Sequence, residues 1–357
     1  LTPLADDGVD WDSDPWLLGT PTGILDLRTG ELLRDEPPTP MTMSVRPHFD
    51  PGARCPRFER FLQEIFRGDA EVVTFVQRFA GYTLTGSTRE QVLAVCYGNG
   101  ENGKSTLIET LSHVMGDYAC NMPFTTIELR ARAAIPVDLA ALEGRRLATA
   151  SETNNETRLN EARIKALTGG DQLSARFMYS NLFSFTPVAK FWLGVNHKPV
   201  VRDDSHGMWR RLRLIPFTAC FSGSARDENL KDTLRLEASG ILNWALAGCL
   251  AWQREGLPMP SAVLAATEEY REESDALADF FRECCDFEKA DTETKGAAFY
   301  EAYSRWADRN GITKHERLSR KDFGARCQQK LEHRKTNSGR VYLGVRLVAE
   351  NLWEMPL

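Results

Sequence analysis

Residues 98–106 read GNGENGKST, in which Gly98, Gly103, Lys104 and Ser105 fit the spacing GxxxxGK[ST]. These residue types in this spacing make a phosphate cradle. Glycines let backbone N–H groups turn inward at close range, and the start of a following helix adds partial positive charge. An ammonium at Lys104 reaches β- and γ-phosphate oxygens, and a hydroxyl at Ser105 ligates magnesium. ATP with Mg2+ is the ligand the pattern points to, with Gly98, Asn99, Gly100, Glu101, Asn102, Gly103, Lys104, Ser105 and Thr106 as its contact surface. The competing explanation is a glycine-rich turn before a helix. Context argues against it, because the match stands between an apolar run and an amphipathic stretch. A cradle alone leaves the purpose open, since kinases, GTPases, transporters and helicases all carry one.

Three later stretches offer the other groups that hydrolysis requires. Glu152 ends LATASE, putting a carboxylate at a strand's C-terminal edge, where it can hold the metal or polarise water. Taken alone it is equally well a surface glutamate. Asn196 ends FWLGVN and suits the orienting of water or the sensing of a γ-phosphate. Arg210 and Arg211 precede the last apolar run in MWRRLRLIPF. An arginine pair is commonly a solvated face. Offered to a neighbouring subunit's γ-phosphate, a guanidinium stabilises the charge that develops as the bond breaks, and that arrangement implies a ring.

The elements that must position these groups are short and apolar. LAVCY before the glycines is a continuous run of the kind a parallel strand buried on both faces requires. KSTLIETLSHVMG after them is an amphipathic helix closed by Gly116. RRLATASE, FWLGVN and RLRLIPF are three further strands separated by polar or helical stretches, so the fold class is α/β with a mostly parallel sheet. Upstream, residues 16–34 suggest small strands joined by turns, and the spacing of apolar positions in 56–80 predicts a helical hairpin. Beyond residue 221 the pattern turns helical. From about residue 292 two helices are followed by a Gly-turned basic hairpin, the outline of a winged helix, with Ser319 and Asp322 at a helix start.

At 357 residues the chain is long enough for two or three domains. Hydrophobic content of 42% with 26% charged residues suits a globular protein, and no apolar run approaches the roughly 18 residues of a membrane span. Eight scattered cysteines without paired metal-ligand spacing fit a reduced, cytoplasmic compartment, and a chain that starts at Leu1 without a secretory pattern reads as a piece of a longer one. Net charge is −6, against a uniformly basic nucleic-acid binder. Between residues 305 and 346, however, 12 Lys and Arg face 4 Asp and Glu, a local +8 inside a remainder of −14. Arg320, Lys321, Arg326 and Lys330 on the second helix and Arg334, Lys335 and Arg340 around the NSG turn are the candidate DNA contacts of that module. The alternative for such a charge run is a solvated face. Asp10, Asp12 and Asp14 near the start have no strand pattern or second ligand cluster beside them and read as a hydrated loop.

In order, LLGTPTGILDLRTG, GNGENGKST, LATASE, IKALTGGDQLSAR, FWLGVN and WRRLRLIPF resemble the phage and plasmid primase/helicase family, whose motor belongs to helicase superfamily three with poxvirus-type relatives. The resemblance implies an AAA+-type P-loop core. It makes Glu152 the Walker B acid and, with Ser105, the magnesium ligand, Asn196 the sensor, and Arg211 the first and Arg210 the second choice of finger. Many relatives carry two adjacent acids where Ser151 precedes Glu152 here, leaving the water-activating group open, with Asp138 as a possible assistant. The stretch at 165–176 matches a family segment near which a hairpin grips single-stranded DNA, so Lys165, Arg176 and Tyr179 are candidate contacts. A plain structural turn at Gly169, Gly170 and Asp171 is the alternative.

The resulting expectation is an ATP-driven DNA helicase motor working as a homo-oligomeric ring, hexameric and moving 3′ to 5′ in the family, on single-stranded and forked DNA, with a primase domain or polymerase upstream and no membrane. Its parts are residues 1–88 with small strands and a helical collar, an ATPase core at 89–221, a helical lid or linker at 222–288, and a winged helix at 289–357. Two rivals stay open: an ATP-regulated origin-binding or replication-initiation protein without processive unwinding, and a small-molecule P-loop kinase.

Overall fold

The computed structural model describes residues 11–34, 40–129, 137–151, 157–202, 205–223, 226–275, 277–287, 292–312, 317–337 and 339–348. They form two compact units, 1–270 and 271–357. In the first, β1 (Leu17–Thr20), β2 (Gly23–Asp26) and β3 (Glu31–Leu32) make an antiparallel sheet that precedes α1 (Pro56–Ile65) and α2 (Ala70–Leu84). Next come β4 (Leu93–Tyr97), α3 (Lys104–Met115), β5 (Ala119–Asn121), α4 (Val137–Ala140), β6 (Leu147–Ser151) and α5 (Glu161–Gly169). The unit continues through a hairpin of β7 (Leu173–Ala175) and β8 (Phe183–Phe185), then β9 (Lys190–Val195), α6 (His206–Trp209), β10 (Leu212–Pro216), α7 (Leu230–Leu236), α8 (Ala238–Glu255) and the helix α9 (Ser261–Glu273), where the units divide.

Five strands form one parallel sheet in the order β10-β4-β9-β6-β5. Each long strand alternates between two cores, as a strand covered on both faces must. Ala94 and Cys96 of β4 and Trp192 of β9 face one core, which also takes Phe58, Phe61 and Ile65 of α1, Phe75 and Phe79 of α2, Leu107 of α3 and Trp252 of α8. Leu93 and Val95 of β4 and Phe191, Leu193 and Val195 of β9 face the other, with Ile164 and Leu167 of α5. The helices at 56–84 and 230–255 therefore share one core with the sheet. Their apolar faces bury against each other and against β4 and β9.

Two buried cations tie the upstream segment to the base of the sheet. Arg146 donates to Leu84 O and Leu17 O at 2.7 Å each, and Lys190 donates to Thr85 O and to Val188 O at 2.9 Å and Ser87 O at 3.3 Å. Burial lowers the pKa of both groups, and the carbonyl acceptors replace part of the hydration that burial removes. The acidic opening is also structural where it is described. Asp12 accepts from Thr42 N and Met43 N, and Asp14 accepts from Trp16 N and pairs with Arg28 at 3.1 Å. Asp10 lies outside the described residues.

The second unit holds α10 (Ala278–Cys284), β11 (Cys285–Asp286), β12 (Glu293–Lys295), α11 (Gly296–Arg309), α12 (Arg320–Lys330), β13 (His333–Thr336), β14 (Gly339–Leu343) and β15 (Arg346–Leu347). β12 pairs with β14, the second strand of the basic hairpin, and Phe280, Phe299, Tyr303 and Phe323 form its aromatic core. Ser319 caps α12 by accepting from Asp322 N at 3.2 Å. Among the described residues no helix is long and apolar enough to cross a membrane, and no group of three or more His, Cys, Asp or Glu is placed to hold a metal ion.

Candidate nucleotide-binding site

β4 delivers the loop at 98–103 to the C-terminal edge of the sheet, and α3 begins at Lys104. Two glycines are sterically obligatory there. Gly98 has φ +153°, and a Cβ on it would lie 2.3 Å from Phe217 O; Gly103 has φ +88°, and its Cβ would lie 2.5 Å from Ile65 Cγ2 on α1. The loop is braced by Asn102, only 3% exposed, whose Nδ2 donates to Phe217 O at 3.3 Å and to Asn99 O, while Oδ1 accepts from Lys104 N at 3.3 Å. Phe221 N donates to Glu101 O at 2.8 Å, so the chain leaving β10 runs along the loop as a wall.

Lys104 is 5% exposed, and its Nζ donates to Gly98 O, to Asn99 O at 3.4 Å and to Asn196 Oδ1 at 3.1 Å. Burial lowers its pKa, partly offset by Cys96, whose own thiol burial pushes up to about 12. Lys104 and Asn196 thus converge although 92 residues separate them. The register explains it: Tyr97 of β4 lies opposite Val195 of β9, so both chains leave the sheet at the same edge. Ser151 of β6 lies opposite Gly194 and ends at that edge too. Glu152 falls outside the described residues. Ser105 is exposed and Thr106 half-buried in the first turn of α3, and Asp138 sits half-buried in α4.

A cleft of about 680 Å3 opens on this loop, within the range of small-molecule sites. Its walls are the loop, Lys104, Ser105, Thr106 and Asn196 on one side, Arg57, Phe61 and Glu64 of α1 on another, and Phe221, Asp227, Leu230 and Lys231 near α7 on the third. Arg57 crosses the cleft, pairing with Glu64 at 3.2 Å and Asp227 at 3.4 Å. Sequence reasoning missed this wall. Its residues lie on α1 and in the stretch 221–231 that leads into α7, far apart in the chain, and they carry no motif.

The arginines stand elsewhere. β10 runs parallel to β4 with Leu212 opposite Leu93 and Pro216 opposite Tyr97, so Arg210 and Arg211 lie at the N-terminal edge. At roughly 3.3 Å per residue that is about 16 Å along the strand from the loop's edge. Arg211 is 8% exposed, its Nε donating to Thr168 Oγ1 at 3.1 Å and its Nη1 to Gly207 O. Burial and the neighbouring Arg210 lower its pKa while Asp171 raises it. Arg210 is exposed and donates to Gln91 Oε1 at 2.5 Å. In the single subunit Arg211, the first-choice finger, is thus held against α5, while Arg210, the second choice, is the more exposed of the pair.

The candidate DNA residues divide. Tyr179, 99% exposed with φ +63°, and exposed Arg176 lie on the connection between β7 and β8, along with exposed Phe177, Met178 and Leu182, which the sequence reading did not single out. Lys165 is not on that hairpin. It is half-buried on α5 and donates to Ser205 Oγ at 3.1 Å. In the second unit Arg320, Lys321, Lys335 and Arg340 are exposed, Arg326 is half-buried, Lys330 pairs with Asp275 at 2.5 Å and Arg334 with Glu293 at 2.5 Å. Lys330 and Arg334 are themselves exposed, and each meets an acid of its own unit.

A glycine-rich strand-to-helix turn at the C-terminal edge of a five-stranded parallel sheet, with two further strand ends beside it, is consistent with a P-loop helicase core. Comparison with known proteins bears out the resemblance to viral D5-like primase-helicases. A family described as D5 N terminal like matches residues 2–67, and a family of unknown function (DUF5906) matches residues 96–211. The chain is 25% identical over 315 residues to "Putative helicase L207/L206" of Acanthamoeba polyphaga mimivirus, covering 82% of this chain and 32% of that protein. It is 28% identical over 257 residues to "Putative helicase 022R" of Frog virus 3 (isolate Goorha), covering 66% and 26%. It is 23% identical over 210 residues to "Putative primase C962R" of African swine fever virus (isolate Tick/Malawi/Lil 20-1/1983), covering 57% and 22%. The chain spans about a third or less of the length of these relatives. Among solved structures, the apo C-terminal region (305–718) of NrS-1 shares the fold with TM-score 0.53 at 13% identity, covering 85% of this chain and 68% of that one.

Proposed function

We propose that the chain is the ATP-driven motor of a replication helicase, of the superfamily three type, that moves along single-stranded DNA as a ring of identical subunits, hexameric and 3′ to 5′ as in the family it resembles. The observation that carries the reading is the convergence of Lys104 and Asn196 on one side of the cleft while the arginine pair stands on the opposite sheet edge. A triphosphate in the loop would take Lys104 from the carbonyls of Gly98 and Asn99, and Asn196 would orient the attacking water. Arg210 or Arg211 is too far away to serve its own subunit's site and so would serve a neighbour's. Ser105 and Glu152 would hold Mg2+, which neutralises charge on the phosphate oxygens when bound; the exposed first-turn hydroxyl on the cleft wall fits that role.

On the DNA side, Tyr179 with Phe177 and Met178 at the hairpin tip offers stacking surfaces, and Arg176 offers a phosphate contact. The order strand, helix, helix, hairpin in the second unit supports a winged helix, with Arg320 and Lys321 at the start of α12 and Lys335 and Arg340 on the hairpin as its DNA contacts. The test is steady-state ATP hydrolysis with and without single-stranded DNA. The reading expects stimulation by DNA and complete loss in Lys104→Ala. DNA-indifferent turnover favours a small-molecule kinase, and binding without turnover favours an initiation protein that uses ATP only to assemble.

A further inference from the structure

The arginine pair and the candidate DNA hairpin share one foothold. α5 ends at Gly169, turns through Gly170 at φ +82°, and β7 begins at Leu173. Both arginines are anchored to that last turn. Arg211 Nε donates to Thr168 Oγ1 at 3.1 Å, and Arg210 reaches it through Gln91, whose Nε2 donates to Gly169 O at 3.4 Å. Thr168 is 4% exposed, and its hydroxyl proton goes to Ile164 O at 2.8 Å. With that donor spent, its oxygen can only accept, which suits a guanidinium partner.

We infer that Thr168 is the positioning residue of the arginine finger: it parks Arg211 at the foot of the β7–β8 hairpin, so that movement of the hairpin on DNA releases the guanidinium toward the neighbouring subunit's triphosphate. This rests on the shared-pocket reading above. Arg211 is 8% exposed with Nε on Thr168 and Nη1 on Gly207, so turning its guanidinium fully onto a phosphate of another subunit would give up those bonds. α5 leads through the short turn at residues 170–172 into β7, the strand that precedes Arg176 and Tyr179 at the tip. DNA-stimulated hydrolysis then follows without any contact between DNA and the nucleotide.

The experiment measures kcat and KM for ATP, with and without oligo-dT, in the full chain carrying Thr168→Val, Thr168→Ser or Arg211→Ala. Thr168→Val keeps the shape but removes the acceptor. It is expected to raise the DNA-free kcat roughly tenfold, the scale of one hydrogen bond to a charged group, with the DNA-stimulated kcat and KM unchanged. Thr168→Ser is expected to restore low basal turnover and full stimulation. A purely structural role lowers both rates together, and that result, or unchanged stimulation in Thr168→Val, overturns the inference. Thr168→Ala removes the same acceptor and gives the same reading where the valine variant does not fold. Arg211→Ala separates the two failures. If it hydrolyses ATP at the parent rate, the finger reading itself falls; if it is inactive while Thr168→Val behaves as the parent, only the parking role falls.

Discussion

Asn102→Ala isolates the brace that shapes the cradle. The side chain is nearly fully buried and makes three bonds: Nδ2 to Phe217 O and Asn99 O, and Oδ1 from Lys104 N. Each is worth about 1 kcal/mol net, and leaving the carbonyl of Phe217 without its donor costs about 1–3 kcal/mol where water does not replace it. The loop lies at the cleft, so water recovers part of this, and a cost of about 2 kcal/mol to the closed loop is the working value. At about 1.4 kcal/mol per tenfold, ATP affinity is expected to fall roughly 30-fold. The assay is calorimetric titration with a non-hydrolysable ATP analogue, beside Asn99→Ala, whose side chain is exposed and whose backbone oxygen alone takes part. The melting temperature is expected to drop by only a few degrees, because the brace lies outside the packed cores. An affinity within threefold of the parent would refute the argument that Asn102 holds the loop in its binding shape.

Burial lowers the pKa of Lys104, and a polyphosphate anion favours its charged form, so nucleotide binding should take up protons at alkaline pH but not at neutral pH. Titration in two buffers of different ionisation enthalpy reads this directly, and equal heats at alkaline pH would count against it. Tyr179→Ala should weaken oligo-dT binding by about five- to hundredfold, the worth of one base stacked on an aromatic ring, while leaving ATP affinity unchanged. Removing residues 274–357 should keep basal ATP hydrolysis and lose most duplex affinity at low salt, as measured by fluorescence anisotropy; an unchanged affinity would leave the basic unit without its proposed role.

Local chemistry explains what was legible in the sequence. The cradle could be read because its glycines, lysine and serine act through neighbours in the chain, and β4, β6, β9 and β10 because each is a short, mostly apolar run. β5 was not, since ACN is short and only partly apolar. The cleft wall was hidden for a different reason: Arg57 meets Asp227 across 170 residues, and nothing in either segment marks the pairing. Likewise Arg211 turns inward because Thr168, 43 residues away, offers an acceptor in the second core. Nor does the basic run itself reveal that Lys330 and Arg334 meet Asp275 and Glu293 of the same unit.

The most direct test of the shared pocket mixes two inactive proteins. Lys104→Ala lacks the phosphate grip and Arg211→Ala lacks the arginine, so a ring holding both contains sites where an intact cradle meets an intact arginine. ATP hydrolysis on single-stranded DNA should reappear on mixing and peak near equal proportions. No recovery at any ratio, with co-assembly verified by mass, would contradict the account.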